Sequence, residues 1–131
     1  MLLPALRDEI AAHAKAESPK EACGLIAGHG VQATRVIRCA NSHPAPVSRY
    51  SIDPIDQIRA FRDMEAKGEE LVAIYHSHPI TQPYPSPTDR AEWHYPDAFL
   101  VLLSLRDVSP ELRAYLVRDG WVREVDLVLS S

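Results

Sequence analysis

Cysteine is scarce in this chain of 131 residues, which contains only Cys23 and Cys39. Two cysteines are too few for the disulfide framework of a small secreted domain. Residues 1–10 lack the charged start and the long apolar stretch of a secretory signal. The longest strongly apolar run, residues 98–103, is far too short to span a bilayer. We therefore expect a cytoplasmic protein that does not cross a membrane.

An excess of positive charge is also missing. The chain has 14 Lys and Arg residues against 18 Asp and Glu residues, a formal net charge of −4. This balance argues against a general binder of nucleic acids or anionic membranes. No repeat or linker divides the sequence, and its 46% hydrophobic content is that of an ordinary globular protein. We expect a single domain over residues 1–131 with a core of its own.

Hydrophobic periodicity and turn residues predict a mixed order of helices and strands. The second helix has the clearest start, because Asp53 is a good N-cap and Pro54 suits the first turn. Ile55, Ile58 and Phe61 are expected to form its buried face. This order favours an α/β or α+β fold in which helices cover a sheet. The predicted elements are a helix over 4–18, strands over 23–27 and 31–38 joined by a turn at 28–30, a short strand near 50–52, a helix from 54 that stops at 68, a strand over 71–78, a loop over 79–87, a short helix over 88–94, and strands over 98–105, 112–117 and 121–129.

One group of residues in the middle of the chain has the spacing of a metal site. His76 and His78 flank Ser77 on a predicted strand, and Asp89 follows Ser86 after the loop. Because strand side chains alternate, both imidazoles project from the same face and can converge on one ion. Zinc favours imidazole nitrogen and carboxylate oxygen, and catalytic zinc sites use three protein ligands and leave one position for water. The sequence therefore predicts one zinc ion per chain, bound by His76, His78 and Asp89.

Each of these residues also has a simpler structural interpretation. The two histidines could be polar residues at the end of a strand, and Ser86 to Asp89 has the pattern of a helix cap. A cap would also fix Asp89 on the first helical turn, so the two interpretations are compatible. Glu21 precedes an apolar strand and is either a solvated acid or the base that a zinc site requires. Cys23 is interpreted as a buried strand residue rather than a ligand, since cysteine is among the most buried residue types.

The remaining histidines are not part of a recognisable motif in the sequence. They are expected at the surface or in loops and are assigned no chemistry: His13, His29, His43 and His94.

The complete set resembles the signature of the JAMM (MPN+) zinc metalloprotease family. The matching pieces are Glu21, the segment His-Ser-His-Pro at 76–79, Ser86 and Asp89, with support from Glu-Ala-Cys-Gly-Leu at 21–25 and Arg-Tyr-Ser-Ile-Asp-Pro at 49–54. The resemblance implies a curved mixed β-sheet flanked by helices, similar to the cytidine deaminase fold. It also implies zinc bound by His76, His78 and Asp89, with Glu21 as general base and Ser86 as a stabiliser of the tetrahedral intermediate. A deaminase is disfavoured, because the chain has no Pro-Cys-x-x-Cys ligand pair.

The same resemblance suggests a substrate. Family members cleave peptide or isopeptide bonds after the C-terminal Gly-Gly of ubiquitin-like proteins. The compact chain is similar to bacterial members that act on small ubiquitin-like sulfur-carrier proteins, in one group releasing a cysteine. We expect such a carrier as the partner of a monomer or homodimer. The alternatives are a non-catalytic interaction module and a zinc hydrolase that acts on another small amide.

Overall fold

A computed structural model describes residues 4–127 as helices packed around one six-stranded sheet. The strands lie in the order β2-β1-β3-β4-β5-β6, and β3 pairs with β4 in parallel while all other neighbours are antiparallel. The mixed sheet with its helices confirms the predicted fold class. The elements are α1 (Pro4–Glu17), β1 (Cys23–His29), β2 (Gln32–Cys39), α2 (Pro54–Ala66), β3 (Glu70–His78), α3 (Pro87–Ala91), β4 (Phe99–Ser104), β5 (Glu111–Arg118) and β6 (Trp121–Val125).

Alternate residues of the central strands face opposite sides of the sheet and enter different core clusters. Ile26 of β1 and Tyr75 of β3 pack with Ile10 of α1 on one face of the sheet. Leu25 of β1 and Ile74 of β3 pack with residues of α2 on the other face. The period of two in the strands therefore produces three layers, with the sheet between the two longer helices.

The hairpin between β1 and β2 turns later than predicted. β1 continues through Gly28 to His29, which pairs with Gln32, so the turn lies at residues 30–31 instead of 28–30. The register shifts between Ala27 and Gly28, and a Cβ on Gly28 would lie 1.9 Å from the Gln32 carbonyl oxygen. Gly28 is thus needed for the close approach of two strands at a bulge, and it does not form the turn.

Three other predicted boundaries also shift. The strand expected near 50–52 is a single β-bridge between Asn41 and Ile52. The helix expected over 88–94 is the five-residue α3, which starts at Pro87 and ends before Glu92. The last strand ends at Val125, and residues 128–129 of the predicted strand lie outside the described residues.

The buried face of α2 differs from the prediction. Asp53 caps the helix, as expected, by accepting a hydrogen bond from the Asp56 N–H at 3.2 Å. Ile55 and Ile58, however, are 60% and 54% exposed, while Ala60 and Met64 are buried. Phe61, the third residue of the predicted face, is half-buried and packs against the core on this side of the sheet, so the prediction is confirmed for Phe61 and wrong for the two isoleucines.

One histidine expected at the surface is part of the core. His13 of α1 is 5% exposed, and its Nδ1 lies 2.7 Å from the Tyr75 hydroxyl. Over residues 4–127, none of the helices is both long enough and apolar enough to cross a membrane.

Candidate metal centre

β3 places two histidines side by side in the middle of the sheet. His76 is completely buried and His78 is 5% exposed. Ser77 between them points away, and its Oγ accepts a hydrogen bond from the Ala22 N–H at 2.8 Å. The strand period therefore separates the imidazoles from the intervening hydroxyl, as the spacing predicts.

α3 presents Asp89 to the histidines through a capping box. The Ser86 Oγ accepts from the Asp89 N–H at 3.0 Å, and the Asp89 Oδ2 accepts from the Ser86 N–H at 2.9 Å. These reciprocal bonds fix the first turn of a short helix. The cap and the chemistry predicted for Asp89 are therefore compatible in one geometry.

The three predicted ligands converge on one point. Asp89 Oδ1 lies 3.2 Å from His76 Nε2, and Asp89 Oδ2 lies 3.1 Å from His78 Nε2. One ligand atom from each residue lies within 4.8 Å of the others. Two imidazole nitrogens and a carboxylate in this arrangement could hold a metal ion.

The ring nitrogens of the two histidines have different surroundings. Both ring nitrogens of His78 lie beside an acceptor: Nδ1 is 2.8 Å from the Gln82 carbonyl oxygen, and Nε2 is 3.1 Å from Asp89 Oδ2. Neither ring nitrogen of His76 has a hydrogen-bond partner among residues 4–127, because its 3.2 Å contact with Asp89 lacks hydrogen-bond geometry. Buried nitrogens without a partner are rare in proteins, and a neutral imidazole nitrogen of this kind has a lone pair that can bind a cation.

The charges in the group suit a cation. Burial raises the pKa of Asp89, but contacts with both imidazoles lower it more, so the carboxyl is ionised. Burial lowers the pKa of His76, and the contact with Asp89 offsets only part of this effect. For His78 the bonds to Asp89 and to the Gln82 carbonyl outweigh burial, and the pKa rises. An ionised carboxylate therefore stands beside a neutral, fully buried imidazole.

Glu21 is a buried acid and not a solvated one. It is 6% exposed, and its Oε1 has no hydrogen-bond partner within the described residues. Burial raises its pKa from 4.5 to about 7; His78 lowers the pKa and Asp89 raises it further. A carboxyl group that titrates near neutrality can both accept and return a proton.

The 41–49 loop holds Glu21 in place through the main chain. The Glu21 N–H donates to the Pro46 carbonyl at 2.7 Å, and the Glu21 carbonyl accepts from Asn41 Nδ2 at 3.0 Å. Asn41 Nδ2 also donates to the Arg49 carbonyl at 3.0 Å, and Asn41 Oδ1 accepts from the Ser51 N–H at 3.0 Å. One amide side chain thus connects Glu21 to the segment on both sides of residue 50.

Sequence reasoning assigned no role to three residues beside the group. Tyr50 stacks on His76 with ring centroids 4.2 Å apart and an interplanar angle of 20°. Asn41 and Gln82 act through the bonds described above, Gln82 only with its carbonyl oxygen. The similarity of the 49–54 segment to the JAMM family was the one signal that pointed to Tyr50.

Cys23 lies close in sequence to Glu21 but contributes no ligand. It is completely buried, its Sγ points toward the Cys39 and Ala40 carbonyls, and burial raises the pKa of its thiol to about 12. This matches its interpretation as a core residue.

Two cavities lie at different distances from the group. A cleft of about 300 Å³ opens beside Asp89 and Tyr50, with Trp93 and Tyr95 in its walls. A larger, mostly apolar cavity of about 440 Å³ is on the α1 side of the sheet and includes none of these residues. Of these two cavities, the smaller cleft is the one that opens beside a residue of the candidate metal centre, Asp89.

Known proteins similar to this chain have related descriptions. The CysO-cysteine peptidase of Mycobacterium tuberculosis is 41% identical over 122 residues, covering 91% of this chain and 83% of the relative. A probable TtuB-protein conjugate cleaving protease of Thermus thermophilus is 40% identical over 126 residues, covering 95% of this chain and 78% of the relative. A solved protein from Desulfitobacterium hafniense has a TM-score of 0.89 at 30% identity, covering 98% of this chain and 91% of that chain.

A family model agrees with these similarities. The model of prokaryotic homologs of the JAB domain matches residues 3–117, which include all five residues of the predicted site. The chain therefore belongs to the family of prokaryotic JAB-domain proteins.

Proposed function

We propose that the protein is a zinc-dependent peptidase that hydrolyses the bond after the C-terminal glycine of a small ubiquitin-like sulfur-carrier protein. The observation that carries the proposal is the convergence of His76, His78 and Asp89 on one point, with the buried carboxyl of Glu21 available as a base. The names of two relatives, one a CysO-cysteine peptidase and one a probable TtuB-protein conjugate cleaving protease, support the substrate class.

The donor set fits zinc. Two imidazoles and one carboxylate are typical ligands of catalytic zinc, and the unpartnered Nε2 of buried His76 is suited to bind a cation. When bound, zinc supplies a Lewis acid that polarises a carbonyl group and lowers the pKa of water toward neutrality. His76, His78 and Asp89 would hold this ion, and Glu21 would remain outside the ligand set.

Glu21 and Ser86 then have separate roles. Glu21 would accept the proton of the attacking water and return it to the leaving amine, because its buried carboxyl lies close enough to His78 and Asp89 for both to shift its pKa. The Ser86 Oγ accepts a bond from the Asp89 N–H, which leaves its own hydrogen available to an oxyanion that develops on the substrate.

Two loops lie beside the proposed reacting groups. The 79–87 loop contacts His78 through the Gln82 carbonyl, and the 41–49 loop contacts Glu21 through the Pro46 carbonyl. Main chain from both loops therefore lies close to the proposed reacting groups. A tail that ends in Gly-Gly suits this space, because glycine adds no side chain where backbones approach closely.

The test uses purified protein and a carrier with a residue fused after its terminal glycine. We expect release of that residue, detected by mass spectrometry, and loss of release when zinc is removed with a chelator. Replacing the penultimate glycine of the carrier with valine is expected to slow release at least tenfold, while small amides without a carrier stay uncut.

Two results would contradict the proposal. Equal cleavage of the glycine and valine carriers would remove the tail argument and leave an unspecialised hydrolase. Tight binding of the carrier without cleavage by the zinc-loaded protein would indicate an interaction module instead.

A further inference from the structure

We infer that Tyr50 is a positioning residue for His76 and replaces the hydrogen bond that a metal-binding histidine normally makes through its second nitrogen. The inference rests on the proposed metal site and adds a residue to its support. It also gives a role to the 49–54 segment, which the proposed reaction does not use.

The two histidines differ in what orients their rings. Histidine ligands almost always donate the second ring N–H to a carboxylate, a carbonyl or water, and this bond fixes the ring. His78 has such a bond to the Gln82 carbonyl at 2.8 Å. His76 has none, because its Nδ1 is buried without a partner among residues 4–127.

Tyr50 supplies the orientation that this missing bond would give. Its ring lies nearly parallel to the His76 ring, with centroids 4.2 Å apart and an interplanar angle of 20°. A stacked ring restricts rotation of the imidazole about its bond to Cβ, since rotation would drive the ring edge into the tyrosine face. The His76 Nε2 is thereby kept in the direction of Asp89, 3.2 Å from Oδ1.

The protein holds Tyr50 independently of any ion. Asn41 accepts a hydrogen bond from the Ser51 N–H at 3.0 Å and donates one to the Arg49 carbonyl at 3.0 Å. The Ser42 N–H donates to the Ser51 carbonyl at 2.8 Å. The main chain on both sides of Tyr50 is therefore held by hydrogen bonds, and its ring packs between the core on the α2 side and His76.

A purely structural role for Tyr50 predicts a different outcome from a positioning role. Tyr50 also packs against the core on the α2 side of the sheet, as Tyr95 does. If packing alone matters, losing either ring destabilises the protein and leaves zinc affinity per folded molecule unchanged. If Tyr50 positions His76, losing its ring weakens zinc binding specifically.

The experiment measures zinc affinity by competition with a chromophoric chelator in wild type, Tyr50→Phe, Tyr50→Leu and Tyr95→Leu. Removing the support of a metal ligand typically weakens binding about 10–100-fold. We expect a loss of this size for Tyr50→Leu and affinities within about threefold of wild type for Tyr50→Phe and Tyr95→Leu. The absorption spectrum of cobalt-substituted protein, which reports ligand geometry, is expected to change in Tyr50→Leu alone.

Wild-type affinity in Tyr50→Leu, or an equal loss in Tyr50→Phe and Tyr50→Leu, would overturn the inference and leave the proposed function intact. Failure of the wild type to bind zinc would instead overturn the proposed metal site itself. Unfolding of the chelator-treated variants is measured in parallel. Should Tyr50→Leu not fold, Tyr50→Met repeats the test with a more adaptable side chain.

Discussion

Asn41 shows how much a single amide can organise around a reacting group. Its side chain bonds to main-chain atoms of Glu21, Arg49 and Ser51. An aspartate in its place could still accept from Ser51 but could not donate to the three carbonyls that Asn41 Nδ2 contacts, those of Glu21, Pro46 and Arg49. Leaving partly buried acceptors unpaired costs about 1–3 kcal/mol.

We therefore expect Asn41→Asp to lower the free energy of unfolding by about 1–3 kcal/mol and to reduce turnover, because Glu21 loses its support. Urea unfolding and a cleavage assay measure the two effects. Ser42→Ala is the matched control, since the Ser42 Oγ makes one exposed bond, to the Ser51 carbonyl at 3.2 Å. Equal behaviour of the two variants would contradict the role of Asn41.

His13 gives the fold a predictable response to acid. Burial lowers its pKa from 6.5, the charge of Arg38 lowers it further, and Glu17 raises it in part. The folded protein thus binds the His13 proton less readily than the unfolded chain. The resulting stability is complete above pH 6.5 and is lost as the pH falls toward and through the lowered pKa.

Glutamine at position 13 keeps a polar side chain but does not titrate. We expect the free energy of unfolding of wild type to fall more steeply between pH 7 and pH 5 than that of His13→Gln. Denaturant unfolding across this range measures both slopes, and the other titrating groups are common to the two proteins. Identical slopes would show that His13 binds its proton equally well in both states.

The proposed metal ligands can be predicted from the sequence, whereas the residues that contact them cannot. His76, His78 and Asp89 are found by spacing, because a strand and a helix cap have fixed geometry. Spacing does not reveal Tyr50 or Gln82. Tyr50 contacts His76 by ring stacking, and Gln82 contacts His78 through a main-chain carbonyl, which any residue has. Contacts of this kind depend on how loops fold, and neither periodicity nor residue type encodes them.

At the scale of the element, the apolar pattern of α2 predicts the wrong buried residues in the first half of the helix. Ile55, Ile58 and Phe61 have the spacing of a buried face, yet the first two are mostly exposed. Their spacing alone cannot tell which half of a helix the sheet will cover. The buried pair Ala60 and Met64, four residues apart, lies over the core instead.

Substitutions in α2 test this assignment. Met64→Ala is expected to lower the free energy of unfolding by about 2–5 kcal/mol, since it removes a buried side chain and leaves a cavity. Ile55→Ala and Ile58→Ala are expected to change it by less than about 1 kcal/mol, because both side chains are largely in solvent. Chemical denaturation compares the three, and a larger loss at either isoleucine would contradict the observed helix orientation.

At the scale of the whole molecule, the order of helices and strands was predictable, while their arrangement in the sheet was not. β3 lies between β1 and β4, with His76 opposite Cys23 on one side and Leu102 on the other. Such pairings join residues far apart in the chain, so local sequence patterns do not predict which strands are neighbours. The shifted turn after Gly28 has a local origin instead, in the bulge where β1 approaches the Gln32 carbonyl.

We also propose that residues 1–131 form one domain, as composition predicts. Both cores use alternate residues of the same strands, so neither can unfold while the other stays intact. A single unfolding transition, coincident by circular dichroism and by tryptophan fluorescence, is the expected result. Two separate transitions would contradict it.

The central claim is that His76, His78 and Asp89 bind zinc while Glu21 moves the proton. It is tested most directly by measuring zinc content and turnover on the same preparations of wild type, Glu21→Gln and a His76→Ala, His78→Ala double variant. Wild type and Glu21→Gln are expected to hold one zinc per chain, with turnover in Glu21→Gln reduced about 10²–10⁴-fold. The double variant is expected to hold none. Full zinc in the double variant would contradict the ligand assignment, and loss of zinc from Glu21→Gln with activity in proportion to the remaining metal would make Glu21 a ligand instead of a base.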